Sequence, residues 1–210
     1  MSKNNVAGIV GVIATTPKIV LDAPTMAQKI YEVQLERKRP NGKVDKMIVQ
    51  FPGKAAGNKK TLHDLKKGAE VLIAGEVRTK NVDDPTPQEN KVKVYIYADA
   101  IVVNDPPAEQ QNNVRLQGRI CKMLGNRTTR RGIAVTSIVV AVNSPHGADY
   151  IPCICWDEAA LAAAELPVGT QVEVIGRMQS REYAKKMPNG KPPYLAVAYE
   201  VTVTQLAIEE

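Results

Sequence analysis

The chain has 210 residues, with 28 lysines and arginines against 22 aspartates and glutamates, which gives a formal net charge of +6. This length predicts one or two domains, and the moderate positive charge permits a polyanionic partner without requiring one. The sequence has no run of 18 apolar residues and no targeting segment, so it predicts a cytoplasmic protein and argues against a membrane-spanning one.

Strand-like alternation of apolar and polar residues dominates both halves of the chain. In chain order it predicts strands over 6–13, 29–37, 46–51, 70–77 and 91–103, and then over 114–120, 133–142, 150–156, 171–178 and 195–206. Short helices are predicted over 62–67 and over the alanine-rich segment 157–166. Five strands with one helix after the third are typical of the oligonucleotide-binding (OB) barrel, although other small barrels also have five strands.

Two short sequence motifs occur in both halves, which indicates a duplicated domain. Asn-Asn-Val stands at 4–6 and again at 112–114, and a Gly-x-x-Val-x-x-x-Gly phrase stands at 68–75 and again at 169–176. Gly75 and Gly176 interrupt strand-like runs, where a glycine suits the bend or bulge that closes a barrel.

The segment 105–111 holds two prolines and no large apolar residue, so it predicts a linker. We therefore expect an N-terminal domain over 1–104 and a C-terminal domain over 112–210. The predicted fold class is all-β, with two tandem five-stranded Greek-key OB barrels that each carry one short helix between strands three and four.

Three parts of the second half carry a resemblance to a known family. These are Asp-Tyr-Ile-Pro-Cys-Ile-Cys-Trp-Asp at 149–157, the glycine-bracketed segment that ends in Arg-Glu-Tyr at 181–183, and the last strand at 199–206. They resemble the bacterial single-stranded-DNA-binding protein family, and the likeness covers nearly all of 112–206. The first half matches more thinly. The resemblance implies non-catalytic binding of single-stranded DNA in replication, recombination or repair, and a homodimer that presents four OB folds.

The family stacks bases on rings of the third and fourth strands. Here those positions look like Tyr150, Trp156 and Tyr183, and their counterparts in the first half look like Asp45, Phe51 and Val82. The resemblance therefore implies that the first half has lost much of its stacking platform. The family also recruits replication proteins through an acidic-aromatic tip. The sequence as given ends at Glu210 without such a tip, so replication proteins stay possible partners but recruitment by that route is not expected.

Binding a single strand without reading its sequence needs flat rings for the bases and cations for the phosphates. Aromatic residues make up 4% of the chain, with one tryptophan and one phenylalanine. The candidate rings are Trp156, Tyr183, Tyr150 and Phe51. The candidate cations are Arg37, Arg39, Lys43, Arg78, Lys80, Arg119, Arg127, Arg130, Arg131, Arg177, Arg181, Lys185 and Lys186. The opposing interpretations are core packing for Trp156 and Phe51, and an ordinary solvated surface for any single cation.

Catalytic and metal-binding motifs are absent from the sequence. His63 and His146 have no nucleophile motif around them, and Cys121, Cys153 and Cys155 lack the other ligands of a metal site, so reduced core cysteines are expected. We expect no enzyme activity and no cofactor. Two alternatives stay open at this point: an OB-fold adaptor that binds proteins, and a barrel that binds RNA.

Overall fold

The computed structural model of the protein describes residues 4–83, 91–104, 111–145, 147–185 and 192–209. The strands of the first half are β1 (Asn5–Ile13), β2 (Lys18–Leu21), β3 (Ile30–Lys38), β4 (Val44–Pro52), β5 (Glu70–Asn81) and β6 (Val92–Val103). A 3₁₀ helix (Gly53–Ala56) and helix α1 (Lys59–Asp64) lie between β4 and β5. The second half contains β7 (Asn112–Thr128), β8 (Ala134–Ser144), β9 (Gly147–Trp156), helix α2 (Glu158–Glu165), β10 (Gln171–Lys185) and β11 (Tyr194–Ile208).

Backbone pairing closes five strands of each half into a barrel. The first ring runs β1–β3–β4–β6–β5 and returns to β1. The second runs β7–β8–β9–β11–β10 and returns to β7. All neighbours are antiparallel except β4–β6 and β9–β11, which are parallel. The predicted fold class is therefore confirmed. Most of the predicted linker, 105–110, lies outside the described residues.

The structure departs from the sequence prediction in two elements of the first half. Strand β2 was not predicted, because all four of its residues are exposed and no burial alternation marks it; it pairs with β3 outside the ring. Helix α1 begins and ends three residues earlier than predicted. The side chain of Asn58 accepts a hydrogen bond from the Thr61 N–H at 2.8 Å, and this N-cap places the start of the helix at Lys59.

Gly75 and Gly176 mark equivalent bulges, as the sequence predicted. The register of β5 against β6 shifts between Ala74 and Gly75, and the register of β10 against β11 shifts next to Gly176. A Cβ on Gly75 would lie 2.1 Å from the carbonyl oxygen of Tyr97, so no side chain fits there. Both barrels thus bend at a glycine that the partner backbone approaches closely.

Glu32 on β3 connects four strands of the first barrel. Its carboxylate is 2.9 Å from Lys18 Nζ of β2, is bonded by Lys93 of β6, and accepts a hydrogen bond from Gln50 of β4 at 2.7 Å. Burial tends to raise the pKa of Glu32, but the hydrogen bonds from Lys93, Gln50 and Lys18 outweigh it and lower the pKa to about 2.

The two barrels join edge to edge through β1 and β7, which pair antiparallel with Ala7 opposite Val114. Within each barrel a buried asparagine ties this first strand to a neighbouring strand of its ring, β5 in the first barrel and β10 in the second. The Asn5 side chain exchanges hydrogen bonds with the backbone of Val77 at 2.6 and 2.9 Å. Asn112 does the same with Met178 at 2.8 and 2.9 Å. The repeated asparagine therefore has a structural role, and Asn5 rather than Asn4 is the counterpart of Asn112.

Candidate functional site

Trp156 lies at the end of β9, immediately before α2, and points away from the barrel core. Cys153 and Cys155 face the core, so the strand alternation turns Trp156 outward, where 37% of the residue is exposed. It lines a groove of about 880 Å³ between the β3–β4 turn of the first barrel and the β10–β11 hairpin of the second. We call this the tryptophan groove. Its cations come from both barrels: Arg39, Lys43, Lys46, Arg177 and Arg181.

Two arginines bring positive charge from β10 into this groove. Arg177 and Arg181 are exposed and lie on the same side of the strand. The Nε atom of Arg181 is 3.3 Å from Glu200 Oε1, yet 47% of the Arg181 side chain stays exposed. A guanidinium offers forked donors that match the oxygens of a phosphate, so both residues can contact an anionic backbone.

A second groove, which we call the tyrosine groove, has a volume of about 650 Å³ and lies on the other side of the β10–β11 hairpin. It contains Tyr183, which is half-buried, and the Arg181 guanidinium carbon lies 5.6 Å from the centre of that ring. Arg127 and Lys91 also line it. Arg181 is therefore shared by the two grooves. The tryptophan groove combines one ring with several cations, and the tyrosine groove combines Tyr183 and Tyr199 with several cations.

Tyr150 is the fourth residue of β9, and Trp156 is the last. The two lie six positions apart along the strand, which corresponds to about 20 Å. Tyr150 is 53% exposed, and its N–H donates to the Thr79 hydroxyl of the first barrel at 2.9 Å. The three rings expected to stack are thus distributed between the tryptophan groove, the tyrosine groove and the junction with β5.

A buried carboxylate from the first barrel holds the two barrels together at the tryptophan groove. Asp45 is 2% exposed and accepts the N–H of Ser180 on β10 at 2.8 Å. It also binds Arg39 through two guanidinium nitrogens, and Arg39 in turn donates to the Ser180 carbonyl at 2.9 Å. The N–H of Lys46 donates to the Ser180 hydroxyl at 2.8 Å.

The second barrel makes the equivalent contact with the first, with the roles of the two barrels exchanged. Asp149 is 2% exposed, accepts the N–H of Thr79 on β5 at 2.6 Å and lies 2.7 Å from the Nε atom of Arg78. Asp45 of the first barrel therefore binds the backbone of β10, and Asp149 of the second barrel binds the backbone of β5, the equivalent strand. Arg39 and Arg78, both predicted to bind DNA, use their guanidinium groups to neutralise these carboxylates.

The strand pairing also shows which residues of the two halves correspond. In the parallel pairs, Val49 lies opposite Ile96 and Cys153 lies opposite Val201, so Val49 is the counterpart of Cys153. Counting along β4 and β9 makes Asp45 the counterpart of Asp149, Lys46 that of Tyr150, and Pro52 that of Trp156. The predicted alignment of Asp45 with Tyr150 and of Phe51 with Trp156 is therefore wrong by one residue.

Phe51 is consequently not a DNA-binding residue. A slip of one residue along a strand moves a side chain to the other face, and Phe51 points into the core. It is fully buried and stacks on Tyr31, with ring centres 5.6 Å apart. The core interpretation of Phe51 is thus the right one.

The other predicted cations are dispersed over the surface. Arg119 donates to the Gly169 carbonyl at 3.0 Å, and Lys185 lies 5.8 Å from the ring centre of Tyr194. Arg130, Arg131 and Lys80 are exposed, Arg37 is half-buried, and Lys186 lies outside the described residues.

The cysteines are free thiols, as the sequence predicted. Burial raises the pKa of the Cys153 thiol well above its usual range and that of Cys155 to about 12. His63 is exposed, and His146 lies outside the described residues. Among the described residues, no group of three or more His, Cys, Asp or Glu side chains is placed to hold a metal ion. The described helices also include none with the length and apolar character that a membrane crossing requires.

Sequence reasoning missed Lys46 and Lys91 as groove residues. Lys46 and Trp156 share a groove although they belong to different barrels, and Lys91 reaches the tyrosine groove from the first barrel. Their neighbours in sequence carry no signal for this, because the contact exists only once the barrels are docked.

Comparison with known proteins finds a family match for the second barrel. Residues 111–206 match the model of the single-strand binding protein family. The single-stranded DNA-binding protein 3 of Listeria innocua is 38% identical over 80 residues, which cover 34% of this chain and 50% of the relative. The protein of Oceanobacillus iheyensis named single-stranded DNA-binding protein is 34% identical over 92 residues, covering 40% and 56%. The chain thus spans about half the length of the curated relatives it matches.

Comparison with solved structures extends the likeness to both barrels. The wild-type single-stranded DNA binding protein from Thermus aquaticus superposes with a TM-score of 0.75 over 98% of this chain and 93% of that chain. A deletion mutant of the same protein gives 0.72 over 98% and 94%. At 20% sequence identity in both cases, the likeness concerns the fold.

Proposed function

Because residues 111–206 match the model of the single-strand binding protein family, as the resemblance in the sequence predicted, we propose that this chain binds and coats single-stranded DNA. Binding is independent of base sequence and involves no catalysis. It serves DNA replication, recombination or repair. The N-terminal barrel lies within 1–104, the C-terminal barrel within 112–210, and the segment between them connects the two.

The tryptophan groove is the observation that carries this proposal. A half-exposed tryptophan at the mouth of a cationic groove offers a flat face to a base while arginines reach the neighbouring phosphates. Stacking of one base is worth about 1–3 kcal/mol whatever the base, which gives affinity without sequence selection. Tyr183, backed by Arg181 in the tyrosine groove, supplies a second such position.

Two chains assemble in this proposal, so that four OB folds act together. Support comes from exposed apolar side chains on the strands around the β1–β7 joint. Val6 of β1 and Ile175 of β10 lie on either side of Arg115 in the sheet, and Val102 lies on β6; they are 42%, 36% and 43% exposed. Because Arg115 is already paired with Glu173, this surface can bury itself against the same surface of a second copy without leaving that charge unpaired.

The experiment is a titration of labelled oligo-dT with the full-length protein, followed by fluorescence anisotropy, together with the emission of Trp156. The chain has one tryptophan, so emission reports on this groove alone. Stacking should quench it. We expect Trp156→Ala and Tyr183→Ala each to weaken binding by about 5- to 150-fold, the range that 1–3 kcal/mol implies.

Leu161→Ala, at an exposed position on α2, is the matched control and should bind like the wild type. If about 4–8 phosphates are neutralised, the logarithm of the binding constant should fall with log salt at a slope of about −3 to −6. Unchanged affinity in both aromatic variants would refute the site, and a wild-type protein that ignores oligo-dT would refute the function.

A further inference from the structure

The first barrel has no aromatic side chain at the three positions that carry rings in the second. The counterparts of Tyr150, Trp156 and Tyr183 are Lys46, Pro52 and Val82 by strand register. These three positions therefore offer no ring on which a base could stack. The same barrel nevertheless reaches the tryptophan groove of the second barrel with its β3–β4 turn.

We infer that Lys43 and Lys46 of the first barrel bind phosphates of the same DNA strand that stacks on Trp156 of the second barrel. The site is then composite, with the ring supplied by one barrel and part of the charge by the other. This inference rests on the proposed function and names the residues of the divergent barrel that take part in it.

The backbone around these lysines is docked onto the second barrel. The N–H of Lys46 donates to the Ser180 hydroxyl at 2.8 Å, and Ser180 precedes Arg181 on β10. Both lysine side chains are exposed and line the groove together with Trp156. Lys46 and Arg181 therefore approach the groove from the two sides of the junction.

The turn that carries Lys43 is short and closed. The Arg39 N–H donates to the Lys43 carbonyl at 2.7 Å, and the Lys43 N–H donates to Asn41 Oδ1 at 3.2 Å. Gly42 adopts a φ of 80°, which suits glycine. A turn held in this way loses little conformational freedom when its lysine meets a phosphate, and this preorganisation favours binding.

The charges in the groove favour an anionic ligand. Asp45 is compensated by Arg39 inside the junction and contributes no free negative charge. Glu182 is the acidic residue that lines the groove, against the cations of Lys43, Lys46 and Arg177. Positive charge from both barrels thus surrounds the Trp156 ring. Cations beside an exposed ring are the combination that binding of single-stranded DNA requires.

The test compares Lys43→Gln/Lys46→Gln with Lys66→Gln/Lys67→Gln in the full-length protein. The control pair removes the same charge from exposed positions after α1. Loss of two phosphate contacts should make the salt slope shallower by about 1.4 and weaken oligo-dT binding by about 25-fold at 0.1 M salt. Trp156 emission should still be quenched at saturation, because the ring remains. Lys43→Arg/Lys46→Arg should keep the wild-type slope.

A Lys43→Gln/Lys46→Gln slope equal to that of the control pair would overturn the inference. If Trp156→Ala weakens binding in the same experiments, the proposed function survives that failure and the first barrel is excluded from the site. If neither variant matters, or the wild type does not bind oligo-dT, both the inference and the proposed site are wrong.

Discussion

Replacement of Asp45 by alanine tests whether the barrel junction is a stabilising part of the fold. The carboxylate is buried, neutralises Arg39 and accepts the Ser180 N–H. Alanine leaves both donors without this acceptor. Removing one partner of a buried ion pair costs about 3–5 kcal/mol, and the 20% exposure of the Arg39 side chain lowers the expectation to about 2–4 kcal/mol.

The assay is thermal unfolding followed by circular dichroism. For a chain of about 150–250 residues, 1 kcal/mol shifts the Tm by about 2–4 °C, so Asp45→Ala should lower the Tm by about 5–15 °C. Asp45→Asn should lower it less, because its amide oxygen still accepts the Ser180 N–H. Asp149→Ala breaks the mirror contact and should resemble Asp45→Ala.

Asp22→Ala is the control, since the Asp22 side chain is 76% exposed and its pair with Lys29 lies at the surface, so the substitution should leave the Tm unchanged. The reasoning is refuted if Asp45→Ala melts within about 1 °C of the wild type. In that case water replaces the carboxylate without loss, and the junction does not contribute to stability.

Two further predictions concern pH and assembly. The pKa of Glu32 is lowered to about 2 from the model-compound value of 4.5, so its stabilisation is complete above about pH 4.5 and is lost as the pH falls toward 2. The free energy of unfolding, measured with urea between about pH 4.5 and 2, should fall more steeply for the wild type than for Glu32→Gln. Parallel plots of this free energy against pH for the two proteins would contradict the role given to Glu32. For assembly, light scattering should give twice the 22.9 kDa chain mass for the wild type and the monomer mass for Ile175→Glu, with Leu161→Glu as the control. If Ile175→Glu still forms a dimer, this face is not the dimer interface.

The fold was predictable because strands and bends leave local signals. Alternation located all ten strands of the two rings, and Gly75 and Gly176 marked the bulges. Strand β2 left no such signal, since its four residues are all exposed and pair with only one neighbour. Helix α1 was misplaced because its start depends on the cap at Asn58 rather than on its apolar residues.

The candidate site was predictable only in part. Trp156 could be found from the family motif, and its outward direction follows from strand alternation beside two core cysteines. Phe51 was assigned wrongly because the alignment of a divergent half is uncertain by one residue, and one residue is enough to reverse the face of a strand.

The sequence by itself determined the duplication, because the same short motifs recur in both halves. It also determined the order of strands along the chain, the bulge glycines and the tryptophan at the end of β9, because each of these depends on residues close together in the chain. Tertiary structure alone decided the reciprocal caps of Asp45 and Asp149 and the placement of Lys43 and Lys46 beside Trp156. These contacts join residues 70 or more positions apart once β1 pairs with β7, and no local pattern encodes that pairing.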